Sequence, residues 1–215
     1  MSLAHSTKKQ DIEVMGYINE KKNPPWWVKL LLWFGDLGVK RRLKLTRILA
    51  HHPKSLVSVG VMEALVAHHD REVSKRQLQL IRLQVSLRVA CPFCVDMNAQ
   101  QFWRNHVTQQ EFEALLGKRS VDSVSTFSAV ERAVSAYVDA LCQTPVAVTE
   151  DHVTKLKEYF SERGIVIIAT TIAQVNLWTR LIQGLGLTPE GFTPNCQVRL
   201  EHHHAQRQIE VTLLP

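Results

Sequence analysis

Apolar residues recur at three- and four-residue spacing along most of the chain, and this period predicts helices. Ser74–Val89 (SKRQLQLIRLQVSLRV) is the clearest case: Leu78, Ile81, Val85 and Val89 fall on one stripe, and Ser74 stands where an N-cap belongs. Trp26–Leu37 reads as a short apolar helix after Pro24-Pro25. Lys40–His51 reads as an amphipathic helix that ends before Pro53. Ser55–His69 (SLVSVGVMEALVAHH) is apolar on nearly every turn and predicts a buried helix. Downstream, helices are expected from Cys91 or Pro92 to Asn105, over Thr108–Leu116, Ser128–Cys142 and Thr149–Arg163, and over Ile165–Leu185 beyond a break at Gly164. Thr108 with Glu111, three residues on, is a capping-box pair, and Thr149 precedes the acidic turn Glu150-Asp151. IVIIATTI is β-branched enough for a strand, but its continuation into AQVNLWTRLIQ at helical spacing favours helix. The segment after Gly191 reads as irregular. The expected class is all-α.

Composition changes this picture little. The chain has 215 residues, is 45% hydrophobic and 21% charged, and its nine glycines and eight prolines are too few for a turn-rich β sandwich. A net charge of +6 is concentrated between Lys29 and Arg47. Joined to PPWWVKLLLWF, that basic run offers two readings. Trp26, Trp27, Leu30 and Trp33 pack on the helical core or on a neighbouring subunit, or residues 26–47 lie on a membrane surface. Packing is the favoured reading. No nucleic-acid recognition motif accompanies the basic charge, so no nucleic-acid partner is expected. The opening MSLAHSTKKQDIE has no secretory pattern, and the expected location is cytoplasmic.

The candidate chemistry lies in ACPFCVDMNAQ, Ala90–Gln100. Proline is favoured at the first helical position, so Pro92 makes Cys91 the N-cap and puts Cys94 in the first turn. Cysteines at i and i+3 there are close enough to form a disulfide, and a helix N-terminus favours a thiolate over a thiol. Two packed small residues are the plainer alternative. Zinc would need further ligands. Cys142 and Cys196 stand alone, and His106 and the pairs His51-His52 and His68-His69 would contribute only if the fold brought them in. No metal is expected. Arg82 or Arg88 would favour a thiolate electrostatically if either faced the sulfurs. Asp96 is expected to be solvated or to pair with an arginine.

Residues Ala50–Gly186 resemble the alkylhydroperoxidase D-like, or carboxymuconolactone decarboxylase, superfamily. The resemblance is carried, in order, by AHHP (Ala50–Pro53), LQLIRLQVSLRVACPFCVDMNA (Leu78–Ala99), VTQQEFEAL (Val107–Leu115), FSAVERAVSAYVDALCQTP (Phe127–Pro145) and VTEDHVTKLKEYFSERGIVIIATTIAQVNLWTRL (Val148–Leu181). It implies a helical alkylhydroperoxidase D-like fold with the CxxC at a helix N-terminus, assembled as a homo-oligomer. It divides the chain into an N-terminal extension (1–49), the helical domain (50–190) and a tail (191–215).

The peroxidase branch implies reduction of hydroperoxides, with Cys94 attacking and Cys91 resolving, no bound cofactor, and an external thiol reductant as partner. That branch carries a Glu twelve residues before the first cysteine and a His four residues after the second, as a proton relay. This chain has Gln79 and Asn98 there, and neither takes a proton at neutral pH. The decarboxylase branch lacks this CxxC. The function implied is a thiol-dependent peroxidase or disulfide oxidoreductase. The alternative, supported by the altered relay positions, is a non-catalytic or redox-sensing oligomer of the same fold.

Overall fold

A computed structural model describes residues 17–65, 69–102, 107–193, 196–203 and 206–213. Among these, nine α-helices precede a β-hairpin: α1 (Trp26–Val39), α2 (Lys44–Leu49), α3 (Pro53–Leu65), α4 (Lys75–Arg88), α5 (Pro92–Phe102), α6 (Gln109–Leu115), α7 (Ala129–Leu141), α8 (Glu150–Lys157), α9 (Glu162–Gly184), β1 (Cys196–His203) and β2 (Gln206–Leu213). The helical body is the all-α arrangement that the apolar spacing predicts.

Helix α4 is its axis. It packs against α5, α7 and α9, and Leu78, Leu80, Ile81, Leu83, Val85 and Leu87 bury around most of its circumference. Its start is fixed by a reciprocal capping box: Ser74 Oγ accepts from the Gln77 amide, and the Gln77 side chain accepts from the Ser74 amide. The same device starts α6 at Thr108–Glu111 and α7 at Ser128–Glu131. Arg76 ties these starts together, donating to Glu131 at 2.7 Å and to Glu111 at 2.5 Å. Helix α9 is long and apolar enough to cross a membrane by length and composition, yet Ile168, Ile172, Val175 and Ile182 are buried against the rest of the helical body.

The structure corrects four expectations. The break before α9 falls ahead of Ser161, which caps the helix, and Gly164 lies inside the first turn. A side chain at Gly164 would stand 2.6 Å from the Glu72 carboxylate that receives the Ser161 hydroxyl, so the glycine makes room for that contact instead of ending a helix. Helix α3 has no fully buried side chain among its described residues. Its inner face borders a cavity, and Val57, Val61 and Met62 face outward. The basic helix is shorter than the pattern suggests, because Lys40 turns left-handed at the end of α1 and α2 begins only at Lys44. The tail read as irregular pairs as an antiparallel hairpin, with Val198 opposite Val211 and Leu200 opposite Ile209. CQVRLEHH and QRQIEVTL carry the two-residue alternation a strand requires.

In α1 the chain's own core takes Val28 and Leu32, while Trp26, Trp27, Leu30 and Trp33 stay exposed on the single chain. Much of the basic run is engaged internally. Arg47 pairs with Asp36, Arg42 with Glu20, and Arg41 lies 4.5 Å over the Phe192 ring.

Candidate functional site

The end of α4 delivers the cysteines. Ala90 takes a left-handed conformation (φ 51°), and the Cys91 amide reaches back to the Ser86 carbonyl at 3.0 Å, a Schellman-type reversal. The chain re-enters a helix at once. Pro92 is the first residue of α5, and Cys91 is its N-cap, its Sγ accepting from the Cys94 amide at 3.3 Å. Both sulfurs are buried and unbonded.

Cys94 borders a cavity of about 330 Å³. Its apolar walls come from Leu43, Leu45 and Leu49 of the α2 region, Leu56 and Val59 of α3, Phe93 and Met97 of α5, and Val175, Trp178 and Ile182 of α9. Residues 43–49, on the N-terminal side of the boundary drawn from the resemblance, therefore form part of this cavity. Among the described residues lining it, the titratable groups are Cys94, Glu63 and Arg82.

The Glu63 carboxylate is held from three sides. Gln174 Nε2 and Trp178 Nε1 donate to its Oε2, the latter at 3.1 Å, and Arg82 Nη1 lies 3.9 Å from its Oε1. Burial pushes the Cys94 thiol well above the ordinary thiol range, and the adjacent Cys91 adds to the effect. The expectation that the helix N-terminus leaves a resting thiolate at Cys94 is therefore reversed, because desolvation outweighs the dipole there. Burial lowers the pKa of Arg82, partly opposed by Glu63.

The altered relay positions separate. Asn98 lines the cavity and donates to Ser86 Oγ at 3.0 Å, whereas Gln79 lies elsewhere on α4 and is not among the lining residues. Of the two arginines weighed, Arg82 faces the cavity, and Arg88 pairs with Asp139 at 2.6 Å. His51 and His52 bond to Asn19 and Ser55 near the surface, and neither they nor His69 lines the cavity. His68 and His106 lie outside the described residues. Cys142 packs in a separate cluster, where Asn176 reaches its sulfur at 3.5 Å.

Asp96 is the clearest departure from the sequence reading. It is neither solvated nor paired with an arginine: it is 2% exposed and accepts from the amides of Glu190 (3.1 Å), Phe192 (3.0 Å) and Thr193 (2.8 Å). Thr193 Oγ1 returns a bond to the Asp96 carbonyl at 2.7 Å. One buried carboxylate thus clamps the start of the tail onto the cysteine helix, and Phe192 meets Phe93 edge to face at 5.8 Å. Sequence reasoning missed this role and that of Glu63. The available signal for Glu63 was a lone carboxylate in an apolar helical run.

The helical body that carries this site agrees with the comparisons. The sequence model of the carboxymuconolactone decarboxylase family matches residues 58–140 of the chain. The body has the alkylhydroperoxidase D-like fold. It is similar to the debrominase Bmp8, solved as a cysteine-to-alanine form in complex with 2,3,4-tribromopyrrole: TM-score 0.68, 15% identity, 82% of this chain and 92% of that chain covered. It is also similar to an uncharacterized peroxidase-related protein from Silicibacter sp. TM1040 (TM-score 0.68, 16% identity, 87% of this chain and 100% of that one). A third similar structure is a protein of unknown function from Agrobacterium tumefaciens, described as a putative antioxidant defence protein AhpD (TM-score 0.57, 24% identity, 66% of this chain and 94% of that one). No curated protein matches the chain by sequence.

Proposed function

We propose that the protein is a dithiol oxidoreductase that reduces small apolar organic hydroperoxides at Cys94. The observation that carries this reading is the placement of Cys94 on the wall of an apolar cavity while Cys91 caps the same helix behind it. The cavity is at the small end of the range of about 300–1,000 Å³ that ligand sites occupy. In the reaction, the Cys94 sulfur attacks the outer peroxide oxygen. An S–O bond forms, the O–O bond breaks, and the thiol proton ends on the departing alkoxide as an alcohol. Cys91 then attacks the Cys94 sulfenic acid, releasing water and leaving a disulfide. The two electrons are restored by an external dithiol through thiol–disulfide exchange.

The test is a count of free thiols after one equivalent of cumene hydroperoxide. The wild type is expected to lose two. Cys94→Ser is expected to lose none, and Cys91→Ser to stop at a sulfenic acid trapped by dimedone. A wild type that keeps all its thiols would sink the reading. Because the same fold in Bmp8 holds 2,3,4-tribromopyrrole, a brominated pyrrole belongs in the same assay as a competing ligand. The second reading, a redox sensor, is favoured by the elevated Cys94 thiol and by Gln79 and Asn98 at the relay positions. Disulfide formation over hours, without turnover by dithiothreitol, would select it.

A further inference from the structure

An attack by Cys94 begins from a protonated sulfur, and that proton must go somewhere. Asn98, at the wall of the cavity, cannot take it, and Gln79 could not do so even if it reached. The candidate bases narrow by placement. The histidines described lie away from the cavity, Asp96 is turned to the amides of residues 190–193, and Asp139 is engaged by Arg88 and Gln84. Among the described residues lining the cavity, one carboxylate remains, that of Glu63.

Glu63 is also positioned to act. It projects from α3 at the end of the cavity-facing row Leu56, Val59, Gly60, so it enters from the helix that bears neither cysteine nor relay position. Trp178 and Gln174, both from α9, donate to one oxygen and fix the carboxylate plane. The other oxygen faces Arg82 of α4, a cation also at the cavity wall. From α5, Cys94 faces the same space. The arrangement puts a proton acceptor, a cation and the Cys94 side chain on the walls of one cavity.

We propose that Glu63 is the proton-transfer residue of this site, taking the Cys94 proton as the sulfur attacks the peroxide and returning it to the departing alkoxide. Arg82 offsets the charge in between. The inference rests on the hydroperoxide reading above. Proton balance is closed: one proton leaves sulfur, resides on the Glu63 carboxyl, and is delivered to oxygen, so Glu63 ends each attack ionised again. The relay of the peroxidase pattern is thus rebuilt with a carboxylate from a different helix.

The test is stopped-flow thiol oxidation by cumene hydroperoxide across pH 5–10 on wild type, Glu63→Gln and Glu63→Asp, each shown to be folded by circular dichroism. Glu63→Gln keeps an acceptor for Trp178 and removes the base. Its rate at pH 7 is expected to fall about 100- to 1,000-fold, within the usual contribution of a positioned general base. The deficit should shrink as pH rises towards the thiol's own ionisation, so that Glu63→Gln approaches wild type at the alkaline end of the range. Glu63→Asp is expected to recover part of the rate at pH 7. A purely structural role would lower the rate without changing the shape of the profile, and that outcome overturns the assignment. Equal rates for wild type and Glu63→Gln at pH 7 overturn it while leaving the hydroperoxide reading intact. A wild type inert to the peroxide at every pH removes both.

Discussion

Asp96→Asn is the most exacting test of how the cysteine helix is held. The substitution preserves shape and removes charge and half of the acceptor capacity. In the native protein one oxygen serves the amides of Glu190 and Phe192 and the other serves Thr193. An asparagine has one oxygen, so in either orientation its NH2 group opposes at least one backbone N–H. Leaving a buried donor unsatisfied costs about 1–3 kcal/mol, and bonds to a charged acceptor are worth about 1.5–3 kcal/mol each against about 1 for neutral ones. With Asp96 at 2% exposure little of this is relieved by water, and a loss of about 3 kcal/mol is expected. Urea unfolding measures the total, and hydrogen exchange locates it: the amides of Glu190, Phe192 and Thr193 should lose protection before those of α4. Because Phe192 packs on Phe93, whose neighbour is Cys94, the alkylation rate of Cys94 should rise as well. A change below about 0.5 kcal/mol, the size of an ordinary surface substitution, would refute the view that this carboxylate anchors the tail.

Other outcomes follow from single contacts. Iodoacetamide alkylation of Cys94 in Cys91→Ser should show its inflection above the ordinary thiol range. The folded-state pKa is raised, so the contribution of Cys94 to stability is complete below the unfolded thiol pKa and is lost as pH rises through the folded value. Asp70 behaves oppositely: the Arg163 guanidinium and the Glu72 and Val73 amides hold its carboxyl well below the usual carboxylate range. Its contribution is present above the unfolded pKa of about 3.9 and is lost as pH falls further, so the stability gap to Asp70→Asn, read by thermal melts, should narrow only below about pH 4. Ala90→Gly relieves a left-handed alanine and should stabilise by about 0.5–1 kcal/mol in urea titrations; a loss would contradict the φ of 51°. Gly164→Ala should destabilise by about 1–2 kcal/mol, because its Cβ displaces Glu72 from Ser161, and removing Glu72 first should abolish most of the penalty.

How much was legible in the chain depended on the range of the interaction. Helix starts were local and readable: Ser74, Thr108 and Thr149 each open a helix where the capping residues stand, and Pro92 places Cys91 at the N-cap. The misplaced break before α9 is the same point in reverse, since a glycine reads as a stop when its distant partner Glu72 is unknown. Burial of α3 was over-read, because an apolar run does not reveal that one of its faces borders an unfilled space. The partners of Asp96 and Glu63 lie far along the chain, in the segment at 190–193 and in α9, and no local pattern names those partners. Strand alternation at 198–211 was present in the sequence and was outweighed by the surrounding helices.

The cavity divides its labour along the chain in a way that bears on how such a protein changes over time. The stretch that matches the family, residues 58–140, contains both cysteines, Glu63, Arg82 and Asn98. Much of the surface that a ligand would meet comes from outside it, from residues 43–49 before and Val175, Trp178 and Ile182 after. The groups proposed to react and much of the lining are therefore written in different segments, with Trp178 of α9 contributing to both. Exchanging leucines in α2 is expected to shift which molecules enter while leaving the contacts of Glu63 and Cys94 in place, whereas a change at Trp178 of α9 alters the wall and the hold on Glu63 together, so that new preferences arise most freely by remodelling the N-terminal flank.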